Sequence, residues 1–451
     1  MAAADRTERD SMGEMPVPED ALYGPQTARA VENFPISRMR LQRRFIRALG
    51  LTKSCAAKVN GDWGCIDAGV AARIVQAAED VAGGKYDAQF VVDVFQTGSG
   101  TSTNMNVNEV IGKVASAHPN DEVNRGMSSN DAFPSAVHIA AAHGVLDELL
   151  PAVRLLHDTL AGKAREFHDV IKTGRTHLQD AVPMRLGQEF SGYARQVELA
   201  AERMEAAMPG IYELPLGGTA VGTGLNAPEG FASAVIDEIA RRTGHPFLEA
   251  ENHFEAQASK DAVVFLSAAL RNYAIGLTKI ANDIRWLGSG PRCGLGELKI
   301  PEVQPGSSIM PGKVNPVIAE SVLMVCAQVV GYDATIAWCG AAGNFELNVM
   351  MPVMAYDLFE SIELLTAASR NFAKRLIAGL KADRARADSL VEQSLAMGTA
   401  LAPEIGYDRA AELVKEAYHS GATVREVASR KSGIAADKLE SLLDPARQAG
   451  P

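Results

Sequence analysis

Aromatic side chains are scarce in this chain. Phe, Trp and Tyr together make up 6% of 451 residues, against 47% hydrophobic residues overall. A core short of large rings and rich in small aliphatics suits close-packed helices better than stacked sheets. Positive charge is in deficit, with a net charge of −11. That argues against a nucleic-acid partner but not against a small anionic ligand, because the field at a site overrides the net charge. Cysteine is sparse and odd in number: Cys55, Cys65, Cys293, Cys326 and Cys339 show neither a CxxC pair nor His-rich spacing. They read as free thiols in a reducing, cytoplasmic compartment, with no metal site signalled. The first ten residues lack the apolar stretch of a secretory leader. No internal repeat and no low-complexity segment is present. The longest apolar run, 317–342, is interrupted by Glu320, Gln328 and Asp333. A membrane span tolerates such residues poorly, so this run reads as a long helix buried inside a bundle, with no membrane partner. The length exceeds one ordinary core and implies two or three domains.

The densest set of constraints lies at 304–320. Gly306 and Gly312 permit backbone angles closed to other residues. Pro305, Pro311 and Pro316 fix φ and remove donors. Between them stand two hydroxyls (Ser307, Ser308), one ammonium (Lys313) and one carboxamide (Asn315). Asn315 suits an N-cap and Pro316 a first helical position. A flexible loop carrying these groups into a positive helix terminus is suited to holding an anion while a proton moves. A plain surface turn would not need that side-chain set.

Helical spacing marks 40–60, 67–82, 188–208, 255–287 and 317–337, lengths that suit a bundle of long helices, whereas residues 1–40 read as irregular. Two further polar clusters stand at helix starts. Ser99, Gly100 and Thr101 precede an apolar-periodic run through Val107, Val110 and Ile111. Ser128, Ser129 and Asn130 precede another that runs to Leu150. Exposed amides and small hydroxyls at such starts make a carboxylate cradle. One of nine histidines, His177, sits beside Thr176 in a Gly/Thr turn read as joining two helical segments. The glycine-dense stretch 216–226 has no strand before it, so a dinucleotide site is unsupported.

The segment GSSIMPGKVNP (306–316) resembles the signature loop of the fumarase/aspartase superfamily. The wider chain, from about Asp10 to about Leu443, resembles the class II fumarases. Matching elements are the GSGT-x-x-NMN stretch from Gly98, the SSND stretch from Ser128, the Thr176–His177 pair and 343–348. The resemblance implies a mainly α, three-domain fold: an N-terminal domain (1–127), a central long-helix bundle (128–384) that assembles into a tetrameric core, and a small C-terminal helical domain (385–451). It implies an enzyme of the tricarboxylic acid cycle that reversibly hydrates fumarate to L-malate, without metal or cofactor. It implies a homotetramer whose active sites are each shared by three subunits.

Residue by residue, the resemblance makes Ser307 the base, His177 the group that handles the departing or attacking water, Glu320 its carboxylate partner, and Lys313 the cation. Ser99, Gly100, Thr101, Ser128, Ser129, Asn130, Thr176, Ser308, Lys313, Val314 and Asn315 would bind substrate. His118, Pro119, Asn120 and Asp121 would form a second anion site. The family often carries a basic residue three positions before that histidine; here it is Ala115. The residues alone read equally as a helix-ending turn. Two alternatives stand beside this. One is an aspartase-type ammonia lyase acting on L-aspartate or a related succinyl substrate, although relatives of that kind usually carry Gln where His177 stands. The other is a non-enzymatic scaffold, which would have no use for the full set Ser307, Lys313, Asn315, His177 and Glu320.

Overall fold

The computed structural model describes residues 5–450. Residues 1–4, part of the segment read as lacking a leader, lie outside the described residues. The start of the chain is more ordered than its turn-rich composition suggests. Strand β1 (Asp5–Asp10) pairs antiparallel with β2 (Gly13–Pro18), in register from Asp5 opposite Pro18 to Asp10 opposite Gly13. Arg6 pins this hairpin by donating to the carbonyls of Pro18 (2.7 Å), Ala21 (2.8 Å) and Tyr23 (2.9 Å). Helix α1 (Pro25–Asn33) follows. Its free amides are capped from afar: Glu109 accepts from the backbone N–H groups of Gly24, Gln26 and Thr27 at 2.9–3.0 Å. A carboxylate there satisfies donors that have no partner within the helix and complements its dipole.

The helices that follow are α2 (Arg43–Asp62), α3 (Ala68–Gly83), α4 (Thr101–Ala115) and α5 (Ser129–His143). A π-helical stretch, Gly144–Leu149, leads into α6 (Leu150–Glu166), which carries the helical run on past the Leu150 end expected for it. Then come strands β3 (Ile171–Thr176) and β4 (Gln179–Arg185), and α7 (Leu186–Tyr212), α8 (Phe231–Thr243), α9 (His253–Ala258), α10 (Asp261–Leu287), α11 (Val317–Gly340) and α12 (Met351–Asn371). Helices α7 and α10 have 27 residues each, about 40 Å at the usual rise. The fold is mainly α, as composition and spacing indicate.

Packing divides the chain into two compact units. The first comprises Met1–Pro151, Glu202–Asn272 and Ala327–Thr366; the second comprises Ala152–Ala201, Tyr273–Cys326 and Ala367–Pro451. In the first unit, Phe45 of α2 is fully buried against Phe133 of α5 and Phe359 of α12, with ring centroids 4.6 and 6.2 Å apart. In the second, Val391, Leu401, Leu413, Val427 and Leu443 form the core of the short C-terminal helices. All five cysteines are free.

Helix α11 departs from expectation. The sequence reads it as buried inside a bundle, yet only 33% of its most apolar 18-residue stretch is buried within this chain. Met324, Val330 and Trp338 are exposed on it, as are Phe265, Ile275 and Trp286 on α10. Both helices are long and apolar enough to cross a bilayer by length and composition. Within the single chain this apolar surface stays uncovered.

Candidate active site

The loop before α11 is closed on itself. The Gly306 amide donates to the Lys313 carbonyl at 2.9 Å, and Asn315 Nδ2 donates to the Gly306 carbonyl at 2.5 Å. A Cβ on Gly306 would fall 2.2 Å from the Lys313 oxygen, so only glycine permits this closure. Helix α11 begins at Val317, one residue later than Asn315 capping would give, because that carboxamide is committed across the loop instead of to the helix. Inside the loop, Ser307 Oγ accepts from the backbone N–H groups of Ile309 (3.2 Å) and Met310 (3.0 Å). Two amides converging on one hydroxyl oxygen stabilise negative charge there. Ser307 is half-buried; Ser308, Lys313 and Val314 are exposed. Among the described residues Lys313 forms no ion pair, so its charge is available to a ligand.

His177 and Leu178 form the two-residue tip of the β3–β4 hairpin, with φ of 56° and 59°. Positive φ at both tip positions is the type I′ geometry that matches strand twist. For a non-glycine pair it is uncommon, and such backbone occurs preferentially at functional sites. The hairpin replaces the turn between helices read from the sequence. It exposes both Thr176 and the imidazole. The stem below is braced by buried charge. Arg175 donates to Glu297 through two bonds of 2.8 and 3.0 Å, and Lys172, almost wholly buried, lies 3.3 Å from Glu189. Removing one partner of such a set leaves an uncompensated buried charge. Glu297→Ala is therefore expected to destabilise the protein by about 3–5 kcal/mol, read as a lower urea midpoint.

The first unit holds the other clusters. Gly100 starts α4 at φ 76°, and a Cβ there would sit 2.1 Å from the Phe133 ring. The Ser99 and Thr101 hydroxyls meet at 2.7 Å. Ser128 caps α5 in a capping box: its hydroxyl accepts from the Asn130 amide at 3.2 Å, and Asp131 accepts from the Ser128 amide at 2.8 Å. The other Asp131 oxygen accepts from the Gly217 and Thr219 amides at 3.0 and 2.9 Å. Burial pushes the Asp131 carboxyl up to about 6, against the pull of those three amides. The glycine-dense turn thus braces the Ser128–Asn130 corner, and Asn130 Nδ2 adds a bond to the Ala220 carbonyl at 2.8 Å.

His118 caps the π-helical turn Pro119–Val123, its Nδ1 accepting from the Asp121 amide at 3.0 Å. Ala115 is buried at the end of α4. His118, Pro119 and Asn120 line a cleft of about 980 Å³ together with Glu8, Arg9 and Lys113.

Within the second unit, no hydrogen bond or ion pair among the described residues joins His177 to Ser307, Lys313 or Glu320. The structure brings together Ser99 with Thr101, Ser128 with Asn130, and Ser307 with the loop amides. Sequence reasoning did not single out Asp131, Lys172, Arg175 or Glu297. Their only sequence signal is proximity to the motifs, since their roles rest on partners up to 122 residues away.

A family model described as lyase matches residues 13–331, and one described as the fumarase C C-terminus matches residues 398–447. Fumarate hydratase class II from Mycobacterium tuberculosis is 54% identical over 440 residues, 96% of this chain and 93% of the relative. The protein of that name from Methylorubrum extorquens is 50% identical over 458 residues, 99% of this chain and 97% of the relative. The crystal structure of class II fumarase from Schistosoma mansoni superposes with a TM-score of 0.96 at 39% identity, covering 99% of both chains. With near-complete coverage at such identity, and with the Ser307 loop and His177 hairpin in place, the chain belongs to the class II fumarate hydratase family of lyases.

Proposed function

We propose that the chain interconverts fumarate and L-malate by anti addition and elimination of water, with Ser307 as the base. The observation that carries this is the pair of backbone amides aimed at Ser307 Oγ. A serine hydroxyl is a poor base unless its oxyanion is stabilised, and the two amides supply that, with an ammonium, Lys313, on the same loop. In the malate-to-fumarate direction the Ser307 oxyanion takes the proton from the carbon beside one carboxylate. The electron pair spreads onto that carboxylate as a dianionic aci-acid. Lys313, Asn315, the Val314 backbone and the positive start of α11 offset the charge. The carbon–oxygen bond on the opposite face then breaks, and the hydroxyl departs as water with a proton delivered from His177. Glu320 fixes the tautomer of that imidazole. Ser99, Gly100, Thr101, Ser128, Ser129, Asn130 and Thr176 hold the carboxylates, and Ser308 makes a ground-state hydrogen bond.

In this reading the site is completed between copies of the chain, in a cytoplasmic homotetramer with each site shared by three subunits. The exposed apolar surface of α10 and α11 supports this, because tetrameric packing would cover it. The division into 1–127, 128–384 and 385–451 follows the same logic, with the long helices in the central segment. Amine elimination is the competing chemistry, and His177 weighs against it. Fumarate absorbance should grow when the protein is given L-malate and stay flat with L-aspartate. Growth with L-aspartate alone would replace hydration with ammonia-lyase activity.

A further inference from the structure

A buried lysine beneath the Ser128–Asn130 corner has no place in the mechanism above. Lys53, from α2, is fully buried, and its ammonium has one hydrogen-bond partner among the described residues, Asn124 Oδ1 at 2.7 Å. Burial pushes that ammonium down to about 7, opposed by the charge of Asp131. Asp131 itself is occupied by three backbone amides. A buried cation with a single hydrogen-bond partner is unfavourable unless something is gained from it.

The hydrogen-bond directions around it follow from donor chemistry alone. Asn124 Nδ2 donates to the Met127 carbonyl at 2.9 Å, so Asn124 turns Oδ1 toward Lys53. That oxygen also receives Asn108 Nδ2 at 3.1 Å and Asn104 Nδ2 at 3.2 Å. Asn104 is thereby compelled to present its amide nitrogen, whose second hydrogen goes to Ser129 Oγ at 3.0 Å. Ser129 Oγ accepts from Asn104, so its one hydroxyl hydrogen is left to donate to another group. A carboxylate only accepts, so a serine fixed as donor has the polarity a carboxylate ligand requires.

We propose that Lys53, acting through Asn124 and Asn104, is a positioning residue that locks the Ser129 hydroxyl as a donor to the substrate carboxylate. This rests on the reading that Ser129 contacts substrate. No group in the chain Lys53–Asn124–Asn104 needs to touch the substrate. Its effect is on binding that is equal in ground and transition states, and so falls on KM more than on kcat.

The test is a pair of double-mutant cycles. Lys53→Met removes the cation while keeping an unbranched side chain. Asn104→Asp is isosteric but accepts only, so Ser129 must donate to it and has no hydrogen left for another group. Each is made alone and with Ser129→Ala, and KM and kcat are measured with L-malate. Each single variant is expected to raise KM about tenfold, as for loss of one hydrogen bond to a charged group, with kcat changed less than about threefold. In the Ser129→Ala background neither should raise KM further. If Ser129→Ala raises KM and the other changes still add their full effect, or Asn104→Asp leaves KM unchanged, the positioning role is overturned while the substrate-binding reading stands. If Ser129→Ala leaves KM unchanged, the substrate-binding reading itself fails. Should Lys53→Met not fold, the isosteric Asn104→Asp cycle decides alone.

Discussion

Ser307→Ala should fold as the parent does and lose about three orders of magnitude or more in kcat, within the range expected when a general base is deleted. The substitution removes one oxygen from a half-buried loop position. What is lost is the acceptor of the Ile309 and Met310 amides. Those amides then face the carbon-bound proton with no group able to take it. KM should change far less, since Lys313, Asn315 and the carboxylate-binding corners remain. Fumarate formation followed by absorbance, with far-ultraviolet dichroism to check the fold, reads both quantities. Turnover near the parent level would remove Ser307 from the role of base and shift attention to another group near the loop.

The second large effect concerns assembly. His177→Asn and Lys313→Met should each be close to inactive by themselves. When the two variants are mixed under conditions that exchange subunits, activity should return to about a quarter of the parent value. Two residues drawn at random from different subunits are both intact at one site in four. The basis is that among the described residues of one chain no hydrogen bond or ion pair joins His177 to the Ser307 loop, while α10 and α11 expose apolar surface suited to packing against copies. Failure to regain activity after verified exchange would place both residues of each site on one chain.

Much of this was readable in the sequence, for identifiable reasons. The 306–316 loop announced itself through Gly and Pro positions that restrict the backbone whatever surrounds them. The start of α5 was marked by Ser128, whose capping role is local, whereas α4 starts at Gly100 without the side-chain cap its hydroxyls suggest. Elements set by distant partners were harder to see. The β3–β4 hairpin lacks an Asn-Gly or Asp-Gly signal; its tip is His177–Leu178, and Pro183 interrupts the strand pattern. The hairpin is held by Glu297 from far along the chain. The N-terminal hairpin was read as irregular because its strands are polar and proline-bearing, and its order comes from Arg6 bonding to carbonyls beyond it. Lys53 carries no local signal, because its partner Asn124 lies 71 residues further along the chain. The apolarity of α11 was read as burial inside a bundle, yet within this chain only 33% of its most apolar stretch is buried, because sequence carries no information on what covers a helix face.

Where a bound dicarboxylate lies in crystals of the Ser307→Ala variant tests the central claim most directly. The expected density has one carboxylate on Lys313, Asn315 and the start of α11, the reacting carbon facing residue 307, and the imidazole of His177 on the opposite side. A dicarboxylate settled away from both the 306–315 loop and His177 would contradict the account.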